Sequence, residues 1–379
     1  MSDPALASAT DPRLLRALNA VCPYYTMFPL DFPLARLAGA STGDWVLDPF
    51  CGRGSTNFAA RLLGLPSVGV DANPVAAAIA QAKAVSTTPS WMVATCTEIL
   101  RSAEEPEDLP QGDFWKRAFH QSTLFQLCKL REALLKNCRS PTRKALRALL
   151  LGLLHGPKIK ARLKSYCSNQ MPRTYASKPD YALRFWRGHR MQPPKVDVLD
   201  LVTRKAVHYF GHLPPSVDAR VVVGDSRRLK IRKLLPRSER AGWVITSPPY
   251  YGMRTYVPDQ WLRYWFLGGP AKVVYRVSRQ LKHHSPGVFA RELGTVWKNV
   301  ACACKTDARL VVRFGSIPDR DQDARDILRE SFRVADAGWR ITTVRSAGAA
   351  DHGRRQAGQF GLADSSPIEE FDFYARLET

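Results

Sequence analysis

Short apolar runs recur towards both ends of the chain, each closing on a turn or an acid. Trp45-Val46-Leu47 runs into Asp48, Val68-Gly69-Val70 into Asp71, Arg220 to Val223 into Gly224-Asp225, Trp243-Val244-Ile245 into Thr246-Ser247, and Leu310 to Phe314 into Gly315-Ser316. Asn57 to Leu63 and Pro74 to Ala84 carry helical patterning between and after the first two. Two later β-like segments are Trp339 to Val344 and Phe371 to Leu377. Short strands alternating with helices predict an α/β fold with a doubly wound, mostly parallel sheet. Ligands of such sheets lie beyond the C-terminal strand ends. Asp48, Asp71, Asp225 and Ser247 all fall there, so four separate stretches aim at one edge.

The middle of the chain follows another rhythm. Leu124, Leu127, Leu130, Leu134 and Leu135 recur at helical spacing, as do Leu146, Leu149, Leu150, Leu153 and Leu154. The pattern predicts a mainly helical insertion at 91–215 within a sheet domain made of 1–90 and 216–379. Charge sharpens this division. The chain carries a net +22, and the stretch 115–190 holds 18 Lys and Arg against two acids. A basic helical surface of this kind suits a phosphate backbone. The run Tyr175, Tyr181, Arg184, Phe185, Trp186, Arg187, His189, Arg190 adds rings that could stack on bases beside cations that hold phosphate. Arg173, Lys178, Arg184, Arg187 and Arg190 are the expected DNA contacts in the insertion, and double-stranded DNA the expected partner.

Composition narrows the class further. With 379 residues and 45% hydrophobic content, the chain can bury a full core. The apolar stretch Leu149 to Leu154 is far short of the roughly 20 residues of a membrane span. The N-terminal residues lack the pattern of a secretory signal. Eight scattered cysteines give no disulfide framework and read as reduced thiols in a cytoplasm. Cys302-x-Cys304 has no second pair, so no metal site is expected. The His283-His284 pair reads as surface.

Two loops carry chemistry. In Asp48-Pro49-Phe50-Cys51-Gly52-Arg53-Gly54-Ser55-Thr56, glycines after a strand let the backbone approach a ligand and aim helix N-H groups at it. An acid at the tip of the next strand suits a ribose diol, and Asp71 lies 17 positions beyond Gly54, near the roughly 20 expected. In Thr246-Ser247-Pro248-Pro249-Tyr250, the prolines stiffen the loop and leave carbonyls free as acceptors. Ser247 adds a further acceptor and Tyr250 a flat ring. This set suits a planar ring stacked on Tyr250, with its exocyclic amine pointing at Ser247 Oγ and the Pro248 carbonyl.

These two motifs resemble the amino-methylating DNA methyltransferases, and Ser before Pro-Pro-Tyr is similar to the cytosine-N4 branch. The resemblance runs from about Tyr24 to the last strand, outside the basic block. It implies a seven-stranded methyltransferase sheet and S-adenosylmethionine as donor. Asp48, Pro49, Phe50, Cys51, Gly52, Gly54, Ser55 and Thr56 would hold the methionine part. Asp71, with Ala72 and Asn73, would bind the ribose, and Asp225 and Ser226 would flank the adenine. Tyr25 and Thr26 would close over the amino-acid end. Ser247, Pro248, Pro249 and Tyr250 form the expected catalytic set. Tyr251, Arg254 and Tyr256 would grip DNA around the target base. A basic block between the second and third strands departs from many relatives.

The implied chemistry is direct. Acceptors on the amine's two hydrogens favour pyramidalisation and localise its lone pair, and in-line transfer follows. The base must leave the duplex to reach the loop. Ring-carbon methylation would need a cysteine near this loop, and none lies between Cys167 and Cys302. Cys22 and Cys51 read as structural. Trp261 and Trp265 read as helix core, Arg313 and Ser316 as a border of the base pocket, and Gly348 to Gly361, with Arg354 and Arg355, as a loop that could reach phosphate. Three alternatives stay open: adenine-N6 methylation of DNA, guanine-N2 methylation of RNA, and a non-catalytic DNA-binding module. A monomer is expected, and a cognate restriction endonuclease acting separately is compatible with the family.

Overall fold

Seven segments pair into one sheet: β1 Trp45–Asp48, β2 Ser67–Asp71, β3 Ala219–Val223, β4 Ala241–Thr246, β5 Cys304–Gly315, β6 Trp339–Ala349 and β7 Glu369–Leu377. The computed structural model describes residues 12–24, 28–157, 164–172, 178–252, 259–274, 281–315, 323–349 and 369–378. Strand order is β3-β2-β1-β4-β5-β7-β6. The first five strands are mutually parallel, and β7 runs antiparallel between β5 and β6. This is the mostly parallel sheet the apolar runs predict.

The central strands β1 and β4 are buried along their whole length. Successive strand residues face opposite sides. Leu47, Val70, Val244, Leu310 and Val312 join a core with the helices Pro286–Ala301 and Ala324–Ala335. The alternate positions Val46 and Ile245 are equally inaccessible. Both faces are therefore covered, which is why these strands read as continuous apolar runs. β5 begins earlier than its apolar stretch, because its first half carries Lys305, Thr306 and Asp307.

The chain divides into two compact units. The sheet unit comprises Tyr24–Ala84, Ser216–Val257 and Val273–Thr379. The helical unit comprises Met1–Pro23, Val85–Pro215 and Pro258–Lys272. It therefore takes in stretches on both sides of 91–215. Its helices include Pro89–Arg101, Gln121–Lys136, Pro141–Leu153, Pro179–Gly188 and Val198–Phe210, with Trp261–Phe266 added from a later stretch of the chain, after β4. Thr88, Ser140 and Asp197 cap three of them by accepting backbone N-H bonds. Leu127, Leu130, Leu134, Leu146, Leu149, Leu150, Leu153 and Leu154 are buried as their spacing implies, whereas Leu135 is exposed. Trp261 and Trp265 are core residues, packed with Trp115 and Phe114. Among the described residues, no helix is long and apolar enough to cross a membrane.

Candidate active site

The donor-type loop leaves β1 at Asp48 and enters the helix Ser55–Leu62 through Gly54, whose φ of 76° lies in the left-handed region. A Cβ on Gly54 would sit 2.7 Å from Ala80 Cβ and 2.9 Å from Ala80 Cα, so glycine is what lets the helix Pro74–Ala84 pass this close. Gly52 also has positive φ, 50°, but a Cβ there would meet nothing within 4 Å. The side on which a Cβ would stand is open, which leaves room for a ligand to approach the backbone there.

The Asp71 carboxylate ends β2 and accepts from the N-H groups of Gly52 and Asn73, each at 2.8 Å. A carboxylate offers about four lone-pair sites, so two remain for the hydroxyls of a ribose. Burial pushes its pKa up to about 6 against these two bonds. Asn73 caps the following helix through Val75 N-H and donates to the Tyr24 hydroxyl at 2.7 Å. Ala72 lies between them, partly buried. Asp225 sits just past β3, gripped by Arg227 through two hydrogen bonds of 2.8 and 2.6 Å. Burial opposes its ionisation, yet Arg227 prevails and holds it below the usual carboxylate range. Arg227 also pairs with Glu292 at 2.7 Å. Ser226 donates to the Pro49 carbonyl at 2.6 Å and so ties the end of β3 to the donor loop. Phe50 lies edge-on to Trp297. Cys51 is buried and its thiol is pushed well above the usual range, chiefly by burial. Thr56 donates to the Ile245 carbonyl at 3.2 Å, while Ser55 Oγ is buried with no hydrogen-bond partner. Tyr25 and Thr26 lie outside the described residues.

The Pro-Pro-Tyr loop leaves β4, the direct neighbour of β1. Thr246 Oγ1 donates to Asp48 Oδ1 at 2.6 Å, joining the two loops at their bases. Asp48 is buried, and burial outweighs its hydrogen bonds from Thr246 Oγ1 and Phe50 N-H, raising its pKa to about 7. Ser247 is 8% exposed and its Oγ lacks a hydrogen-bond partner. Its approach to the Tyr250 phenol falls short of hydrogen-bond geometry and acts as a weak counterweight to the burial of that phenol. Pro248 is buried and Pro249 exposed.

Several expectations need correction. The Tyr250 ring does not present a stacking face: it is 0% exposed and packs edge-on against Phe314, and its hydroxyl donates to Glu370 Oε1 at 2.5 Å. Tyr251 is 3% exposed and packs on Phe289, so it does not reach outward for DNA. His283 is buried, not surface; its Nδ1 accepts from Gly252 N-H at 3.0 Å. Trp186 is 0% exposed and bonded through its indole N-H to the Gln170 carbonyl, so it cannot stack on a base. Arg313 is engaged by Asp372 through bonds of 2.8 and 3.0 Å. In the helical unit Arg184, Arg187 and Arg190 are exposed, with Arg187 ion-paired to Asp113. Lys178 lies 3.7 Å from Asp259. Arg173, Tyr175, Arg254, Tyr256, Ser316 and the 350–361 stretch lie outside the described residues. Among the described residues no His, Cys, Asp and Glu cluster could hold a metal.

Glu370, Arg227 and Asn299 escaped notice in the sequence. Asn299 donates to the Ser226 carbonyl at 2.8 Å. Glu370 and Asn299 act across separations of 120 and 73 positions that local patterning does not reveal, whereas Arg227 stands two residues from Asp225 and an Asp-x-Arg spacing could have shown it.

Residues 28–82, which span β1, the glycine loop and Asp71, match the family model described as DNA methylase. The type II methyltransferase M.BsoBI of Geobacillus stearothermophilus is 49% identical over 37 residues, 10% of this chain. That match spans 7% of the curated relative's length. Among solved structures, the rRNA methyltransferase aviRa from Streptomyces viridochromogenes is 13% identical with a TM-score of 0.37, covering 97% of this chain and 94% of that one. TrmN from Thermus thermophilus is 10% identical with a TM-score of 0.35, covering 96% and 53%. Likenesses this distant add nothing to the strand order. That order, the glycine loop with its acid and the family match together support an S-adenosylmethionine-dependent methyltransferase, of a kind similar to the DNA methylases.

Proposed function

We propose that this chain transfers a methyl group from S-adenosylmethionine to the exocyclic N4 amine of a cytosine everted from double-stranded DNA. One observation carries the reading furthest. The glycine loop and the Ser-Pro-Pro-Tyr loop leave adjacent parallel strands and are joined by the Thr246–Asp48 hydrogen bond. A donor and an acceptor held by these two loops would meet at one rim.

The residues fit the donor. Gly52 faces open space, and Asp71 retains acceptor capacity for a diol. Gly52, Gly54 and the start of the helix Ser55–Leu62 would face the methionine part; Asp225 and Ser226 would border the adenine. When bound, the donor supplies an electrophilic methyl on a sulfonium. On the acceptor side, the buried Ser247 Oγ lacks a partner, a costly state that an amine hydrogen would relieve. The Pro248 carbonyl would take the second hydrogen. Ser at this position favours the cytosine-N4 branch. The exposed Arg184 and Arg190, with Arg187, Arg173 and Lys178, would track phosphates. We read the protein as a cytoplasmic monomer whose cognate nuclease, if present, acts separately.

The test is incubation with S-adenosylmethionine and plasmid DNA, digestion to nucleosides and mass identification. N4-methylcytosine is the expected product. N6-methyladenine would move the substrate to adenine, and N2-methylguanosine in an RNA control would move it to RNA. No product, with no donor binding by calorimetry, would leave a DNA-binding module.

A further inference from the structure

We infer that Glu370 is a positioning residue of this site, and that its hydrogen bond to the Tyr250 hydroxyl anchors the Ser-Pro-Pro-Tyr loop. The inference rests on the methyltransferase reading for its kinetic consequence, and on geometry for the pair itself. Strand pairing sets Glu370, at the start of β7, opposite Gly315, where β5 terminates. There it is 5% exposed. A buried carboxylate is costly unless hydrogen-bonded. Glu370 is met by the Tyr250 hydroxyl at 2.5 Å, and Arg313 stands 4.0 Å from its other oxygen. Arg313 cannot turn fully to it, because Asp372, its partner across the β5–β7 ladder, already takes two of its hydrogen bonds.

Tyr250 is equally committed. Its ring has no accessible surface and sits in the sheet core with Phe314 and Phe289. Swinging it out would vacate that space and strip Glu370 of a hydrogen bond. Two residues separate Tyr250 from Ser247, and both are proline, with φ held near −65°. The span is therefore stiff, tied at one end by β4 and at the other by Glu370. Fixing the Tyr250 hydroxyl fixes the directions of Ser247 Oγ and the Pro248 carbonyl, the two acceptors on which the reaction depends.

Tyr250→Phe separates the roles, since a phenylalanine ring stacks as well as a tyrosine ring but cannot bond Glu370. Steady-state transfer from labelled S-adenosylmethionine to plasmid DNA would be measured alongside donor affinity by calorimetry. An anchoring hydroxyl predicts that Tyr250→Phe lowers kcat about ten- to a hundredfold, with donor Kd unchanged. Glu370→Ala should do the same, and Glu370→Gln, which keeps an acceptor oxygen, should recover much of the loss. The double variant Tyr250→Phe/Glu370→Gln should be no worse than Tyr250→Phe alone. Wild-type kcat in Tyr250→Phe, or multiplicative losses in the double variant, would overturn the inference. A wild-type protein that methylates nothing would end the methyltransferase reading instead. The pair would then be judged by the same cycle in urea unfolding, where additive effects would overturn it and non-additive effects would sustain it.

Discussion

Thr246 Oγ1 donates a 2.6 Å hydrogen bond to Asp48 Oδ1, linking the last residues of two neighbouring parallel strands. Asp48 is buried, with its pKa raised to about 7 chiefly by burial. Loss of one donor to a buried carboxyl costs about 1–3 kcal/mol. Thr246→Val, which preserves shape, should lower unfolding free energy by that amount in urea titrations and weaken S-adenosylmethionine binding. Thr246→Ser should restore both.

The two glycines of the loop should fail in different ways. Gly54→Ala meets the backbone of the helix Pro74–Ala84 at 2.9 Å in a left-handed conformation. Helix displacement and backbone strain together should cost at least about 2 kcal/mol. Gly52→Ala meets nothing within 4 Å and should cost about 1 kcal/mol through its positive φ alone. Its methyl group nevertheless enters the space proposed for the donor. Calorimetry should show donor affinity lost in a protein whose unfolding is only modestly altered.

Asp71 gives donor binding a pH signature. Burial raises its pKa from 3.8 to about 6, so the free folded protein holds this proton more tightly than the unfolded chain. Its contribution to stability therefore falls as pH rises from about 4 to about 6. Ribose hydroxyls prefer the ionised acceptor, so the sign reverses for binding. Donor affinity should increase as pH climbs through about 6 and then level off. Asp71→Asn should bind weakly at every pH and lose the rise. An equal rise in wild type and variant would remove Asp71 from the ribose contact.

Ser247→Ala should spare the fold, since Ser247 Oγ has no hydrogen-bond partner to lose. If that oxygen awaits the target amine, turnover should drop strongly while donor Kd stays put. Single-turnover transfer with excess enzyme would show it; an unchanged rate would remove Ser247 from the acceptor set.

The strands were legible because burial on both faces leaves an unmistakable apolar signature, as in Trp45-Val46-Leu47 and Trp243-Val244-Ile245. The glycine loop was legible because its acid lies within the next strand. The burial of Tyr250 is illegible for the converse reason: its hydroxyl is claimed by Glu370, 120 positions away across two further strands. Nothing local announces that contact. Trp186 could have been found. Ala182 and Trp186 are four apart on one helix and both are buried, while Tyr181, Arg184 and Arg187 point outward. The helical period separates core from surface in this run, where composition alone mixed them.

That same period sets the expectation for DNA binding. Tyr181 is 56% exposed, and Arg184 and Arg190 are exposed cations on or next to this helix. Arg187 shares the surface, but its guanidinium is already paired with Asp113. A cation neutralised within the protein releases fewer counterions when it meets a phosphate. Arg184→Ala and Arg190→Ala should each weaken DNA binding uniformly across sequences, reducing the slope of log K against log salt by up to about 0.9. Arg187→Ala should reduce it by less, because its loss also frees the Asp113 carboxylate, and Asp113→Asn should strengthen binding by unmasking Arg187. Anisotropy titrations of labelled duplex DNA at several salt concentrations measure all four. Equal slopes in wild type and the three arginine variants would place the phosphate track on another face of the helical unit.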